Sequence, residues 1–236
     1  MHRADRRFII RERILVPLVS TLERSNKLRS IVSDFGAVAN FIGSSKVQFP
    51  QSVFLGTRKG LLKSVLKCDP NERVVVFEFG VARGALTAWG LNQIKSKNLK
   101  WVGYDTFTGL PSDWVRGNIV YLQKGAFSTE GHHPEIKDAR VSFVVGDVTE
   151  TFKEIPSLFE PGTLFRSIFI FDLDLFSPSK AVWDVISPTL RTGDRLFFDQ
   201  AFDNDGEGKL IEDHLLPNVN VRHLGRSVIG AAFEVI

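Results

Sequence analysis

The sequence predicts an α/β protein on a doubly wound, mostly parallel seven-stranded sheet, with an antiparallel strand near the C-terminus and a helical N-terminal segment. Three observations carry that expectation. From residue 71 onward, short β-prone runs alternate with helical ones, which implies a parallel sheet with helices on both faces. The runs Arg73–Phe79 and 167–173 are predominantly apolar, as strands covered on both faces must be. The last two runs, 219–224 and 228–236, lie so close that a tight hairpin through Gly225-Arg226 has to join them, so one strand is antiparallel.

Residues 1–70 contain no strand-like run. Phe8, Ile9, Ile10, Ile14, Leu15, Leu18, Val19 and Leu22 recur at helical spacing, and a second helix covers 31–41. Pro50, Gly56 and Gly60 lead to a third, 61–66. Five arginines fall among the first thirteen residues. The segment therefore reads as a helical cap, packed on the main domain or forming a homodimer surface; a membrane-surface helix is the alternative. The second unit, 71–236, opens with strand one, Arg73–Phe79. A helix over 85–95, strand two over 100–104, strand three at Val141–Val145 and a helix over 150–159 follow. Strand four is 167–173, and Pro178 starts the next helix where proline is best tolerated. Strand five is Arg195–Phe198, and a helix over 207–215 precedes the closing pair.

Composition narrows the function. The charged fraction of 24% and hydrophobic fraction of 43% are those of an ordinary globular chain. A net charge of +3 over 236 residues is too small to mark a nucleic-acid binder. Cys68 is the sole cysteine, which excludes an intrachain disulfide and a cysteine-built zinc site. No apolar run approaches the roughly 20 residues of a membrane span. The apolar stretch near the N-terminus is interrupted by Arg11, Glu12 and Arg13, unlike a secretory signal, so a cytoplasmic protein is expected. With 20 Phe against 2 Tyr, aromatic volume is committed mainly to packing.

Three signals fall at consecutive strand ends. Glu78-Phe79-Gly80-Val81-Ala82-Arg83-Gly84 sits between strand one and its helix, where glycines allow close backbone approach and a helix end offers unpaired N–H groups. Asp105 ends strand two about 20 residues later, where an acidic side chain can accept ribose hydroxyls. Gly146-Asp147-Val148 follows strand three. All three lie on the carboxyl edge of the sheet, where open α/β sheets bind ligands. A ribose-holding Asp105 would also suit a nicotinamide enzyme. The glycine spacing is not the dinucleotide G-x-G-x-x-G, however, and there is no Tyr-x-x-x-Lys pair.

These motifs, with Tyr104-Asp105-Thr106-Phe107-Thr108-Gly109-Leu110-Pro111 and Phe171-Asp172-Leu173-Asp174-Leu175-Phe176-Ser177-Pro178-Ser179-Lys180, resemble the macrocin O-methyltransferase family. The resemblance spans about residues 72–210. It implies a Rossmann-like class I fold and S-adenosylmethionine as cofactor, in a unit 71–236. It also implies transfer to a hydroxyl of a small molecule, a sugar or other natural product. By resemblance, Glu78 and Gly80 line the methionine part, Asp105 holds the ribose, and Asp147 with Val148 holds the adenine. Arg83, Gly84, Thr106 and Asp172 complete the cofactor set. Residues 106–114 form a loop over cofactor and acceptor.

Strand four ends in Asp172-Leu173-Asp174 and strand five in Asp199-Gln200. Alternation places Asp172 and Asp174 on one side, with Asp199 in reach from the adjacent strand. Carboxylates clustered at the end of apolar strands need a cation or a proton. The resemblance implies a divalent metal, commonly Mg²⁺, on Asp172, Asp199 and Gln200, with Asp174 as general base. The family usually has a second carboxylate where this chain has Gln200, which should weaken metal binding. His132 and His133 are the rival bases. Two other readings stay open: a non-catalytic S-adenosylmethionine-binding regulatory protein, and an NAD-dependent oxidoreductase.

Overall fold

The computed structural model describes residues 54–116, 119–154, 162–202, 206–227 and 229–236. All belong to a compact unit spanning 45–236. The helices expected over 8–22 and 31–41 lie outside the described residues.

In chain order the elements are α1 (Arg58–Val65), β1 (Arg73–Phe79), α2 (Ala85–Leu91), β2 (Asn98–Asp105), β3 (Trp114–Arg116) and β4 (Ile119–Leu122). There follow β5 (Val141–Val145), α3 (Val148–Thr151), β6 (Arg166–Phe171), α4 (Phe176–Ile186) and β7 (Arg195–Phe198). The chain closes with α5 (Glu207–Leu210), which runs on through a π-helical turn, and then β8 (Val221–Arg226) and β9 (Ala231–Val235). The main sheet has the order β5-β2-β1-β6-β7-β9-β8. Its pairings are parallel except those of β9, which is antiparallel to both β7 and β8. This is the doubly wound sheet expected from the alternation of elements.

Phenylalanines dominate one face. Phe77 stacks on Phe169 at 5.3 Å and Phe171 on Phe198 at 4.7 Å, while Phe79 meets Phe152 edge-on at 4.9 Å. Strand register places these rings side by side, Phe77 opposite Phe169 and Phe79 opposite Phe171. On the other face Val74, Val76, Ile168, Ile170 and Trp101 pack with Leu61, Leu62 and Val65 of α1 and Leu91 of α2. Gly90 makes room there, since a Cβ at that position would collide with the Trp101 ring.

Helix α1 is fastened at both ends. Thr57 caps it, its Oγ1 accepting from the Gly60 amide at 3.1 Å. Arg195 donates to the Val65 carbonyl at 2.8 Å, a cationic cap that also suits the negative end of the helix dipole.

Several expected boundaries move. Strand four stops at Phe171 rather than 173, because the Leu173 amide turns away to a side chain, Glu207 Oε1. Helix α4 starts at Phe176, and Pro178 lies within its first turn, where amides have no intrahelical partner anyway. Helix α2 ends at Leu91 rather than 95, where the Gly90 carbonyl accepts from both Gln93 and Ile94 and tightens the last turn. The helix expected over 150–159 is seen as Val148–Thr151: residues 152–154 have left the helix, and 155–159 lie outside the described residues. The closing hairpin does not turn at Gly225-Arg226. Those residues pair with Ala232 and Ala231, and the chain reverses over 227–230, where Ser227 and Gly230 bond each other. At the end of β8 the Arg226 carbonyl accepts the Leu55 amide at 2.8 Å. The β3–β4 hairpin, which pairs antiparallel, has no counterpart in the sequence reading.

Candidate active site

A cavity of about 1400 Å³ opens at the carboxyl edge of the sheet. Parallel pairing of β5, β2, β1, β6 and β7 brings five strand ends to one edge, so groups far apart in sequence face one space. Every residue singled out as cofactor-binding, metal-ligating or catalytic lines that cavity: Glu78, Gly80, Arg83, Asp105, Thr106, Asp147, Val148, Asp172, Asp174, Asp199 and Gln200. Gly84 is the exception. It caps α2 at φ 71°, and a Cβ there would meet Pro134 Cγ at 2.6 Å, so its role is packing.

Glu78 is fully buried at the end of β1. Its Oε2 accepts from Thr87 Oγ1 at 2.6 Å and Trp101 Nε1 at 2.7 Å, while Oε1 is buried with no hydrogen-bond partner. Burial pushes this carboxyl up to about 8, against the opposing pull of those two donors. Gly80 follows at φ 90°, and any Cβ on it would overlap the Asp172 carbonyl oxygen. Glycine here lets the loop after β1 lie directly against the end of β6.

Asp105 latches that loop. Oδ2 accepts from the Val81 amide at 2.8 Å and the Ala82 amide at 2.7 Å, and Oδ1 accepts from Phe107 N at 2.7 Å. With two lone-pair directions on each oxygen, one acceptor position is left, on Oδ1. A ligand can then bond Asp105 once, where the sequence suggested two ribose hydroxyls. Asp147 caps α3, accepting from the amide and the hydroxyl of Thr149 at 2.8 Å each, and Val148 is buried beneath it.

Beyond β6, alternation fails as a guide. Asp172-Leu173-Asp174 form a turn in which the Leu175 amide bonds the Leu173 carbonyl at 2.7 Å and Asp174 takes φ 63°. An i to i+2 turn around a residue of positive φ is rare and strained, and such strain concentrates at functional positions. Both aspartates still face the cavity. Glu207 supports the turn from α5: fully buried, it accepts the Leu173 amide at 3.1 Å on Oε1 and the Gln200 amide at 3.0 Å on Oε2. Burial raises Glu207 well above the ordinary carboxylate range, and Asp172, Asp174 and Asp199 add to that rise.

The carboxylates expected to hold a metal are joined by a guanidinium. Arg58, the first residue of α1, pairs with Asp172 through Nη2 and with Asp199 through Nε at 2.7 Å. Burial raises both aspartates and Arg58 opposes the rise; the charge of Asp172 adds to it at Asp199, and that of Asp105 adds to it at Asp172. Among the described residues no group of three His, Cys, Asp or Glu is arranged to hold a metal ion. A divalent ion does not fit while Arg58 spans the pair.

His132 and His133 are exposed and lie outside the cavity lining, His133 stacking on Phe143 at 5.5 Å. The structure adds residues that the sequence did not single out. Arg58 and Glu207 belong to no motif. Trp114 and Tyr121, in edge-on contact at 4.8 Å, bring β3 and β4 to the cavity, continuing the lining formed by residues 106–114. Gly117-Asn118 between two β-prone runs is the sequence signal for that hairpin.

A seven-stranded sheet of this order, with a ligand-sized cavity across its first strand ends, is the Rossmann-like class I methyltransferase fold. No family model and no curated protein matches the chain. Among solved structures it is similar to CalS11, a calicheamicin methyltransferase, with 24% identity, 75% of this chain and 76% of that chain covered, and a TM-score of 0.52. It is also similar to the O-methyltransferase NovP, with 15% identity, 74% and 78% covered, and a TM-score of 0.47. An apo structure of CalS11, described as a TDP-rhamnose 3′-O-methyltransferase of calicheamicin biosynthesis, has 26% identity, 75% and 76% covered, and a TM-score of 0.45. The first of these likenesses is one of fold. No helix among the described residues is long and apolar enough to cross a membrane.

Proposed function

We propose that this chain is an S-adenosylmethionine-dependent methyltransferase acting on a hydroxyl of a small molecule, a sugar or other natural product. The observation that carries the reading is the charge of the cavity. Its described lining has six carboxylates, Glu78, Asp105, Asp147, Asp172, Asp174 and Asp199, against two guanidiniums, Arg58 and Arg83. Oε1 of Glu78, buried with no hydrogen-bond partner, suits a cationic donor such as an α-ammonium, whose charge would draw the raised carboxyl back to its ionised form. S-adenosylmethionine carries an ammonium and a sulfonium. A dinucleotide carries a pyrophosphate, and the Val81 and Ala82 amides it would need are already given to Asp105.

When bound, the cofactor supplies an electrophilic methyl whose sulfur departs as a neutral thioether. The protein's part is positioning and proton removal. Glu78 and the remaining lone pair of Asp105 orient the donor, and Asp147 with Val148 borders its far end. The 106–114 loop and the β3–β4 hairpin keep water from the reacting atoms. Asp174, fixed by its strained turn, takes the proton from the acceptor hydroxyl as the oxygen–carbon bond forms.

Calorimetry with S-adenosylmethionine, S-adenosylhomocysteine and NAD(H) tests this directly. Binding of the first two without the third is expected; NAD(H) binding alone refutes the reading. Mass spectrometry of a panel of sugar and phenolic acceptors, looking for a gain of one methyl group, then separates a transferase from a protein that only binds the cofactor.

A further inference from the structure

We propose that Arg58 is the resident cation of the acidic cluster: its guanidinium stands between Asp172 and Asp199 in place of a divalent ion, so that the wild-type site takes no metal and removal of Arg58 creates one. The catalytic side of this inference rests on the methyltransferase reading, but the exchange of cations does not.

Four observations converge. Asp172 and Asp199 close two neighbouring strands, and both face the same guanidinium, one at Nη2 and the other at Nε. Asp199 is almost wholly buried and Arg58 is itself partly enclosed, with side-chain exposures of 9% and 39%. A carboxylate so placed needs a counter-charge, and among the described residues Arg58 is the cation paired with it. Arg58 is held rigidly: it opens a helix capped by Thr57 and anchored by buried Leu61, Leu62 and Val65, so the guanidinium does not have to be ordered on binding. Finally, the residue after Asp199 is Gln200, whose backbone N–H is given to Glu207 and whose side chain carries no charge. A guanidinium brings one positive charge where Mg²⁺ brings two, so a neutral side chain at 200 suits it, whereas a third carboxylate would leave the cluster short of charge.

The geometry also differs in kind. A guanidinium donates along fixed directions in one plane, whereas Mg²⁺ demands six oxygens in an octahedron at about 2.1 Å. In the proposed reaction Arg58 then does what a metal does elsewhere at close range: it faces the acceptor side of the cavity with a fixed positive charge that favours the developing alkoxide, while Asp174 removes the proton.

The test is a Mn²⁺ titration of full-length protein followed by electron paramagnetic resonance, with thermal melting in parallel. Wild type should bind no Mn²⁺ at this site, and its melting temperature should not respond to Mg²⁺. Arg58→Gln should melt lower in metal-free buffer, bind one Mn²⁺ at least about tenfold more tightly than wild type, and recover stability when Mg²⁺ is added. If that variant does not fold alone, adding Asp199→Asn, which removes the uncompensated charge, should restore folding. One wild-type Mn²⁺ that Asp199→Asn abolishes would overturn the proposal. So would an Arg58→Gln protein that melts like wild type and gains no metal, or a double variant that stays unfolded. Calorimetry with S-adenosylhomocysteine on the same wild-type sample keeps the two readings apart: no metal and no ligand leaves the ion pair standing and removes the methyltransferase.

Discussion

Glu207 accepts the amide of Leu173 at 3.1 Å, and through that bond a carboxylate from α5 holds the turn that carries Asp174. The same side chain takes the Gln200 amide on its other oxygen, so one buried residue ties the ends of β6 and β7 together. Glu207→Gln keeps the shape but can accept only one of the two amides, leaving the other against an NH₂ group. A loss of about 1–3 kcal/mol in denaturant unfolding is expected. Turnover should fall more than cofactor affinity, because the disturbed element is the base-bearing turn. Unchanged stability together with unchanged turnover would show that the clamp is unimportant.

Asp174→Asn preserves size and turn preference while removing the ability to take a proton. Turnover should drop on the order of 10²–10⁴, with calorimetric affinity for S-adenosylhomocysteine unaltered. An Asn variant as active as wild type would move the base elsewhere. His132 and His133, exposed and outside the lining, are then poor replacements.

Glu78 makes stability depend on pH in a direction that can be worked out. Its carboxyl lies near 4.5 ordinarily and is raised to about 8 by burial, so the folded protein binds the proton more tightly than the unfolded chain. The stability it contributes is therefore complete below about 4.5 and is lost as pH rises through about 8. Glu78→Gln, whose amide oxygen can still accept from Thr87 and Trp101, removes that dependence. Relative to wild type, its melting temperature should climb across this window. A difference that stays flat with pH would mean that Glu78 does not carry the proton.

Gly80→Ala tests the close approach between the β1 loop and β6. The new methyl group would overlap the Asp172 carbonyl and sit on backbone at φ 90°, so at least about 2–3 kcal/mol should be lost in urea unfolding. Gly84→Ala faces Pro134 instead, and its penalty should come without the loss of cofactor affinity expected for Gly80→Ala.

Asp105→Asn should separate latch from ligand. An asparagine can keep the Val81 and Ala82 amides on its oxygen but offers an NH₂ toward Phe107. Affinity for S-adenosylhomocysteine should fall by about 1.5–3 kcal/mol, read by calorimetry. Full affinity in a folded variant would confine Asp105 to its structural role.

Sequence alone determined the sheet. Continuous apolar runs such as Val74–Phe77 and Ile168–Phe171 have no stable place except between two helical layers, and their alternation with helices leaves a parallel arrangement as the consistent solution. The same logic placed Glu78, Asp105, Asp147, Asp172 and Asp199 at strand ends, because parallel strands all finish on one edge. What the sequence could not decide is which partner each of these groups has. Alternation holds only inside a strand: β6 ends at Phe171, and Asp172 and Asp174 reach the cavity together through a turn with Asp174 at φ 63°. The two partners that matter most, Arg58 and Glu207, are ordinary charged residues locally. Arg58 lies 114 positions from Asp172 and Glu207 34 from Leu173, and their meaning comes from the neighbours that folding gives them. A charge near other charges is a property of position in space, and only the packing of α1 and α5 onto the finished sheet supplies it.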